Sequence, residues 1–251
     1  MDSGESSEPV ALSGEERVAL VGRIRIVRER IANAARSAGR APGEVTLVAV
    51  TKTLRPAVVR AAYEAGLTTF GENRVQEAEE KIAELSLPGA RWELVGHLQT
   101  NKAERAVRLF ARIQSVDSVR LAELLDQRAA GGGRSLPILL EVNVGGETSK
   151  SGFAPEAVLE AARRIAALPH LVPEGLMTVA PITSDPADAR PYFRRLREVG
   201  DALRRSVPLG ADGGWRQFSM GMTDDFEAAI AEGATLVRIG RAIFGERPMP
   251  Q

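Results

Sequence analysis

Four lysine residues stand out in this chain, because arginine supplies almost all of its other positive charge. The chain has 33 basic residues, and only Lys52, Lys81, Lys102 and Lys150 are lysine. A lysine amine can form a Schiff base once burial or a neighbouring cation lowers its pKa, whereas an arginine guanidinium stays protonated. A general codon bias towards arginine would give the same count. Each lysine is therefore a candidate for amine chemistry, and its surroundings must decide.

Lys52 has the surroundings that best suit a reactive amine. It follows the apolar run 47–50, where a predicted strand leaves the core, and it shares its alternation with Val48 and Val50. If that face lies inside a barrel, the amine is partly desolvated in the barrel mouth, which is the setting of a Schiff-base lysine. The alternative is a lysine that extends from a strand end into solvent.

The other three lysines have plainer settings. Lys81 lies in a predicted helix near Glu77 and Glu84, which predicts an exposed ion-pair residue. Lys102 lies on the first turn of another predicted helix, and we expect it to be solvated. Lys150 lies in a Gly- and Ser-containing loop, where it could contact an anion but is more typical of a flexible loop residue.

Two segments near the C-terminus have the residue types of a phosphate site, FSMGMT (218–223) and RIGRAIFG (238–245). Ser219 offers a hydroxyl group. Gly221 and Gly240 would let backbone N–H groups approach an anion closely. The alternative is that these glycines only make tight turns between a strand and a helix.

Arg238 lies inside an apolar strand pattern, between Val237 and Ile239. A buried guanidinium needs partners. It could pair with a nearby acid, or it could donate to a ring nitrogen of a ligand. The second arrangement would keep a pyridine nitrogen unprotonated, because arginine does not give up its positive charge.

The elements that must position these residues follow from an alternation of strand and helix patterns. Strands are predicted at residues 46–53, 68–73, 92–97, 112–117, 136–144, 171–179, 215–222 and 235–245. Helical segments follow seven of them, at residues 56–66, 74–85, 100–110, 118–129, 155–168, 187–205 and 224–233, and the last strand carries a short helical turn. Such units predict parallel strands with crossover helices, an α/β fold. A closed (β/α)8 TIM barrel fits this length better than an open doubly wound sheet, and no G-x-G-x-x-G loop follows the first strand.

An extra helix is predicted before the barrel. Ser13 and Glu16 form a capping box, and the helical pattern that follows ends near Gly39. The polar residues 1–12 predict a disordered tail. We therefore expect one domain, residues 13–251.

A TIM barrel has its site at the carboxyl ends of the strands, so the residues at those ends are the candidates. The predicted strands end in Thr51, Lys52, Glu72, Asn73, Arg74, His97, Gln99, Asn101, Ser115, Asp117, Asn143, Met177, Thr178, Ser219, Gly221, Met222, Arg238, Gly240 and Arg241. We expect these mostly polar residues to form a ring around the barrel mouth.

Composition argues against several other functions. The formal net charge is zero, which gives no general electrostatic case for nucleic acid or an anionic membrane. The chain has no cysteine and two histidines, which excludes disulfides and thiolate metal sites and disfavours a histidine-rich metal centre. No apolar run reaches the roughly 20 residues that span a bilayer, and the N-terminus lacks a secretory pattern. We expect a cytoplasmic protein.

Six segments in order resemble the pyridoxal phosphate homeostasis protein family, from about residue 13 to the end. They are LVAVTKT, GENRVQEAEEK, WELVGHLQTNKA, SVDS, GLMTVAP and FSMGMTDDFEAAIAEGATLVRIGRAIFGER. This family is the single-domain relative of the alanine racemase N-terminal barrel. The resemblance implies a fold-type III barrel that binds pyridoxal 5′-phosphate (PLP) and acts in vitamin B6 homeostasis, with no established catalytic turnover.

The resemblance also implies roles for individual residues. Lys52 would carry PLP as a Schiff base, and Arg238 would face the pyridine nitrogen. The residues on the phosphate-binding segments would be Ser219, Gly221, Gly240 and Arg241, and those on the segments lining the cofactor would be Asn73, His97 and Met177. Arg241 departs from the family, which usually has Ser or Thr after R-I-G. Its side chain could contact the phosphate or turn to solvent, and the sequence leaves both open.

Two functions from different classes remain after the resemblance, a non-catalytic PLP carrier and a racemase-like PLP enzyme acting on amino acids. Racemases of this type add a β domain after the barrel, whereas this chain ends at Gln251. They also use a tyrosine as a second base, and Tyr63 and Tyr192 both lie in predicted helices. We therefore expect a carrier without an enzymatic role, leaving weak amino-acid chemistry open.

Further expectations concern partners. Apo forms of PLP-dependent enzymes are the expected recipients of the cofactor, and we expect the carrier to be a monomer. A third hypothesis is a barrel that uses the same phosphate site for another phosphorylated ligand.

Overall fold

The computed structural model describes residues 11–147, 150–210 and 214–246. Residues 1–10 of the predicted tail therefore lie outside the described residues. Leu12, which the sequence analysis assigned to the tail, packs against the hydrophobic core. Packing among the described residues therefore includes at least one residue before the first helix.

Eight parallel strands close into a barrel in chain order, which confirms the predicted (β/α)8 architecture. The strands are β1 (Thr46–Val50), β2 (Thr69–Glu72), β3 (Arg91–Leu94), β4 (Arg112–Val116), β5 (Leu136–Glu141), β6 (Leu171–Met177), β7 (Gln217–Ser219) and β8 (Leu236–Ile239). Pairing of β8 with β1 completes the ring. All carboxyl ends therefore meet at one end of the barrel, which we call the mouth.

The α-helices of the described residues surround the strands. They are α1 (Gly14–Ser37), α2 (Pro56–Glu64), α3 (Val75–Leu85), α4 (Ala103–Leu109), α5 (Val119–Gly131), α6 (Val158–Ala166), α7 (Arg190–Ser206), α8 (Phe226–Ala231) and α9 (Arg241–Phe244). The extra N-terminal helix is α1, and its predicted capping box is present. The backbone N–H of Ser13 donates to Oε2 of Glu16 at 2.8 Å, and the N–H of Glu16 donates to Oγ of Ser13 at 3.2 Å.

The main hydrophobic core lies between the strands and the helices. Phe70, Phe110, Phe193 and Phe226 are fully buried in it. Helix α1 adds a buried stripe at helical spacing, made of Leu20, Ile24, Val27 and Ile31. Burial of this stripe at roughly 1.5–3 kcal/mol per large apolar side chain fixes α1 against the barrel.

The interior of the barrel holds a chain of buried polar side chains. Arg238 donates from Nη1 to Oγ of Ser219 at 2.7 Å. The Ser219 hydroxyl donates to Gln114, and Nε2 of Gln114 donates to Glu93. Glu93 then pairs with Nη1 of Arg112 at 3.3 Å. Buried polar groups are costly unless they are paired, so this chain fixes the interior and holds Arg238 in place near the mouth.

Candidate functional site at the barrel mouth

Lys52 lies just past the end of β1 and is half-buried. Val48 pairs in register with Arg238, whose side chain lies in the barrel interior, so this face of β1 is the interior face. Thr51, on the opposite face, donates from Oγ1 to Oε1 of Glu72 at 2.7 Å. Lys52 follows β1 at the mouth end with the same alternation as Val48, and the interior position of its side chain stays a prediction.

Lys81 is buried, and the prediction of an exposed ion-pair residue is wrong. Its side chain is 4% exposed. Its Nζ donates to Oε1 of Glu72 at 2.6 Å, to Oε1 of Glu77 at 2.9 Å and to the backbone oxygen of Thr51 at 2.7 Å. The prediction failed because Glu77, one turn earlier, suggested a surface pair. The partner that draws the amine inward, Glu72, lies on β2 and not on the helix.

Arg238 is buried within β8, as the sequence predicted. Its Nη1 and Nη2 donate to the backbone oxygens of Ser219 and Thr178, both at 2.8 Å. Burial lowers the pKa of the guanidinium to about 10, against the opposing effect of Glu141 and Asp225, so it is a cation at neutral pH. The described residues supply three acceptors, which are the backbone oxygens of Ser219 and Thr178 and the hydroxyl of Ser219. An arginine side chain has more N–H donors than that. The guanidinium can therefore donate to a ligand as well.

Ser219 and Met177 are buried at the ends of β7 and β6 and are paired in register. The hydroxyl of Ser219 donates to Gln114 within the interior chain. The hydroxyl is therefore committed inside the barrel, and the phosphate prediction for this segment depends on the turn that follows it.

That turn contains Gly221, which has a positive φ of 91°. A Cβ atom at this position would lie 2.6 Å from Cβ of Ala229 and 2.9 Å from Cα of Phe226. Close packing against α8 thus requires glycine here, while contact with an anion stays a prediction. Gly240 precedes α9 with a φ of −116°, a value that other residues also adopt.

Arg241 points its side chain at the rim of the mouth. Its Nη2 pairs with Oδ2 of Asp224, and the two side chains are 54% and 71% exposed. In this structure the side chain lies largely in solvent beside an acid, and a contact of the side chain with phosphate stays a prediction.

Asn73 and His97 follow neighbouring strands. Asn73 is half-buried, and a Cβ at Gly96 would lie 2.5 Å from its backbone oxygen, so the two strand ends are closely packed. His97 is exposed, and its Nδ1 lies 3.1 Å from Oδ2 of Asp117. These residues form one side of the mouth.

Glu141 is a mouth residue that the sequence analysis missed. It ends β5, and Asp117 follows Val116, the register partner of Leu140, so the two acids are neighbours at the strand ends. Burial raises the pKa of Glu141, as does Asp117, while Arg238 and His97 lower it. The predicted strand ran on past this residue, which hid it. The signal in the sequence was an acidic residue directly after the apolar run 138–140, where a strand can end.

The loop after β5 is held by its own side chains. Nδ2 of Asn143 donates to the backbone oxygen of Glu147 at 2.8 Å. Nζ of Lys150 pairs with Oε1 of Glu147 at 2.9 Å. Lys150 is therefore an ion-pair partner within its loop.

Metal chemistry has no visible site in the described part of the chain. No group of three or more histidine, cysteine, aspartate or glutamate residues there could hold a metal ion. None of the helices described is both long enough and apolar enough to cross a membrane.

Comparison with known proteins identifies the family. The family model described as "Alanine racemase, N-terminal domain" matches residues 27–248. The pyridoxal phosphate homeostasis protein of Pseudomonas aeruginosa is 45% identical over 221 residues, which cover 88% of this chain and 93% of the relative. The chain belongs to the pyridoxal phosphate homeostasis protein family. The family member of Aquifex aeolicus is 42% identical over 225 residues, covering 90% of this chain and 97% of the relative.

A solved structure of a family member contains the cofactor. PipY of Synechococcus elongatus, solved with PLP bound, is 35% identical to this chain with a TM-score of 0.78. The match covers 90% of this chain and 100% of PipY. The resemblance found in the sequence motifs is therefore confirmed at the level of family and fold.

Proposed function

We propose that this chain binds PLP as a Schiff base on Lys52 and holds it as a carrier in vitamin B6 homeostasis, without catalytic turnover. The observation that carries the proposal is the pairing of β1 with β8. It brings half-buried Lys52 and buried Arg238 to neighbouring strand ends at the mouth. The names of the relatives and the PLP in PipY support PLP as the ligand.

The side chains of the mouth fit a phosphorylated pyridine aldehyde. A lysine amine adds to the aldehyde carbon, and water leaves as the C=N bond forms. The cationic guanidinium of Arg238 has donors left for a pyridine nitrogen. When bound, PLP supplies an electron sink. The residues that we assign to this site are Lys52, Asn73, His97, Met177, Ser219, Gly221, Arg238, Gly240 and Arg241, with Ser219 contributing as an acceptor that holds Arg238 and Arg241 contributing through its backbone N–H.

The position that we propose for Arg238 and one observed contact of Tyr63 favour a carrier over a racemase-like enzyme. An arginine against the pyridine nitrogen keeps that nitrogen unprotonated, which weakens the electron sink that most PLP enzymes use. The hydroxyl of Tyr63 donates to the backbone oxygen of Pro88 at 2.7 Å, before β3 and at the opposite end of the barrel from the mouth. Tyr63 therefore cannot serve as an opposing base.

The test of the site is a PLP titration followed by visible absorbance, with Lys52→Ala and a matched lysine variant, Lys102→Ala. Lys102 lies in the turn after β3, also at the mouth. We expect the Schiff-base band in the wild type and in Lys102→Ala, and its loss in Lys52→Ala. A band that persists in Lys52→Ala would place the Schiff base on another lysine. If the wild type shows no Schiff-base band, the proposal is wrong, and the hypothesis that the barrel binds another phosphorylated ligand remains.

The carrier role has a separate test, which is transfer of PLP to a recipient. The loaded protein is mixed with an apo PLP-dependent enzyme, and the recovery of that enzyme's activity is followed. We expect recovery faster than the dissociation of PLP into buffer if transfer is direct. Recovery at the rate of free dissociation would mean a reservoir that releases PLP to solution.

A further inference from the structure

The turn that carries Lys52 is tied on both sides to one buried amine. Nζ of Lys81 donates to the backbone oxygen of Thr51, the residue before Lys52, at 2.7 Å. It also donates to Oε1 of Glu77 at 2.9 Å, and the same oxygen accepts from the backbone N–H of Thr53, the residue after Lys52. Lys81 thus contacts the peptide group before Lys52 directly and the one after it through Glu77.

Glu72 completes this cluster from β2. Its Oε1 accepts from Nζ of Lys81 at 2.6 Å and from Oγ1 of Thr51 at 2.7 Å. Burial raises the pKa of Glu72 above its usual value, although the neighbouring Lys81 amine acts in the opposite direction. Removing one partner of a buried ion pair leaves an uncompensated buried charge, so the amine and the carboxylates hold each other in place. We call Glu72, Glu77 and Lys81 the clamp.

The clamp holds a backbone conformation that the chain would otherwise avoid. Thr53 has a φ of 61°, in the left-handed region, although it is β-branched. Such a conformation is unfavourable for a β-branched residue and persists only where the surroundings fix it. The bond from the N–H of Thr53 to Glu77 is a fixing contact of this kind.

We propose that Lys81 and Glu77 are positioning residues for Lys52, because their hydrogen bonds to Thr51 and Thr53 fix the direction in which the Lys52 side chain leaves the backbone. The inference rests on the proposed function for Lys52. The inference gives a role to the buried amine of Lys81. None of the contacts described for Lys81 involves the mouth residues Arg238 or Ser219.

The experiment compares variants of the clamp with a matched ion pair elsewhere. Glu77→Met removes the acceptor for both Lys81 and Thr53, at a side chain only 25% exposed. Glu77→Gln keeps a carbonyl oxygen there, and Lys81→Met removes the amine. The control is Glu232→Gln, which weakens the pair between a buried carboxylate and the half-exposed Arg194 on α7.

Two readouts are measured at a temperature well below the melting point of every variant. The first is the PLP dissociation constant from absorbance, together with the pH dependence of the Schiff-base band. The second is hydrogen exchange of the backbone amides of residues 52–54 in the protein without PLP. We expect Glu77→Met and Lys81→Met to weaken PLP binding by about tenfold or more and to speed amide exchange. We expect Glu77→Gln and Glu232→Gln to stay near the wild type in both.

The outcomes separate this inference from the proposed function. Wild-type PLP affinity in Glu77→Met, or unchanged amide exchange at residues 52–54, would overturn the positioning role. An equal loss of PLP affinity in Glu232→Gln would show a general stability effect and would also overturn it. If Lys81→Met does not fold, Glu77→Met decides. No band in the wild type would reject the proposed function, and amide exchange would still decide whether the clamp fixes the turn.

Discussion

At the scale of single residues, the mouth contains two arginines in opposite settings. Arg238 is buried and donates to Ser219 and Thr178, so its position is fixed before any ligand arrives. Arg241 is exposed and neutralised by Asp224. Burial and hydrogen bonding, more than charge, distinguish the arginine that can orient a ligand from the one that borders the mouth.

Arg241→Ala should therefore change little. We expect PLP affinity within about twofold of the wild type and unfolding free energy within about 0.5 kcal/mol, because exposed ion pairs contribute little. Absorbance titration and urea denaturation measure the two quantities. A tenfold or greater loss of PLP affinity would show that the side chain leaves Asp224 to bind the phosphate.

Gly221→Ala should be strongly destabilising. The new Cβ would meet Ala229 and Phe226 at a residue with positive φ, and we expect a loss of about 2–4 kcal/mol in unfolding free energy. The matched control is Gly22→Ala within α1, where nothing lies within 4 Å of the new Cβ. That change should stabilise the protein by about 0.5–1 kcal/mol. Equal effects of the two substitutions in urea denaturation would contradict the packing argument.

At the scale of single elements, the sequence predicted what depends on one element and missed what depends on two. Alternation along β1 gives Lys52 the same face as Val48, which lies on the interior face, because the period of a strand is a local property. The burial of Lys81 depends on Glu72 of a neighbouring strand, and the position of Glu141 depends on where β5 ends. Neither the partner strand nor the strand end is visible in a single sequence pattern.

Glu232 joins α8 to α7 and gives a prediction of pH dependence. Burial raises the pKa of its carboxyl, but hydrogen bonds from Arg194 and Arg190 outweigh burial, and the net pKa lies below its usual value. A depressed pKa stabilises the fold above the unfolded-state pKa of about 4.3, and this is lost as pH falls through the folded value. Glu232→Gln should thus cost about 1–2 kcal/mol at neutral pH, and the difference from wild type should shrink below about pH 4.

The measurement for Glu232 is urea denaturation of the wild type and Glu232→Gln across the acid range. A difference in unfolding free energy that stays constant down to the lowest pH would contradict the ion-pair account. It would indicate that the substitution acts through packing.

At the scale of the whole molecule, the alternation of strand and helix patterns, the chain length and the missing G-x-G-x-x-G loop together predicted the closed barrel that the structure shows. The barrel in turn predicted a site at its carboxyl end. The polar chain from Arg238 through Gln114 to Glu93 was not predictable. Its members lie on β8, β7, β4 and β3, and only closure of the barrel brings them into contact. These hydrogen bonds explain why the Ser219 hydroxyl donates to Gln114 inside the barrel, although the sequence motif offered it for a phosphate site.

PLP should stabilise the whole fold, because the site exists only when the barrel is closed. At a concentration of about a hundred times the dissociation constant, a ligand that binds only the folded state adds about 2.7 kcal/mol. For a chain of this size we expect a rise of several degrees in melting temperature. Lys52→Ala should show a much smaller rise. Equal rises in both proteins would mean that the Schiff base contributes little to holding PLP.

The central claim is that Lys52 is the residue that holds PLP. The most direct measurement is borohydride reduction of the PLP-loaded wild-type protein, followed by digestion and mass spectrometry of every lysine-containing peptide. We expect a stable pyridoxyl group on the peptide that contains Lys52, with Lys81, Lys102 and Lys150 unmodified at stoichiometric loading. A pyridoxyl group on one of those three lysines, with Lys52 unmodified, would contradict the claim.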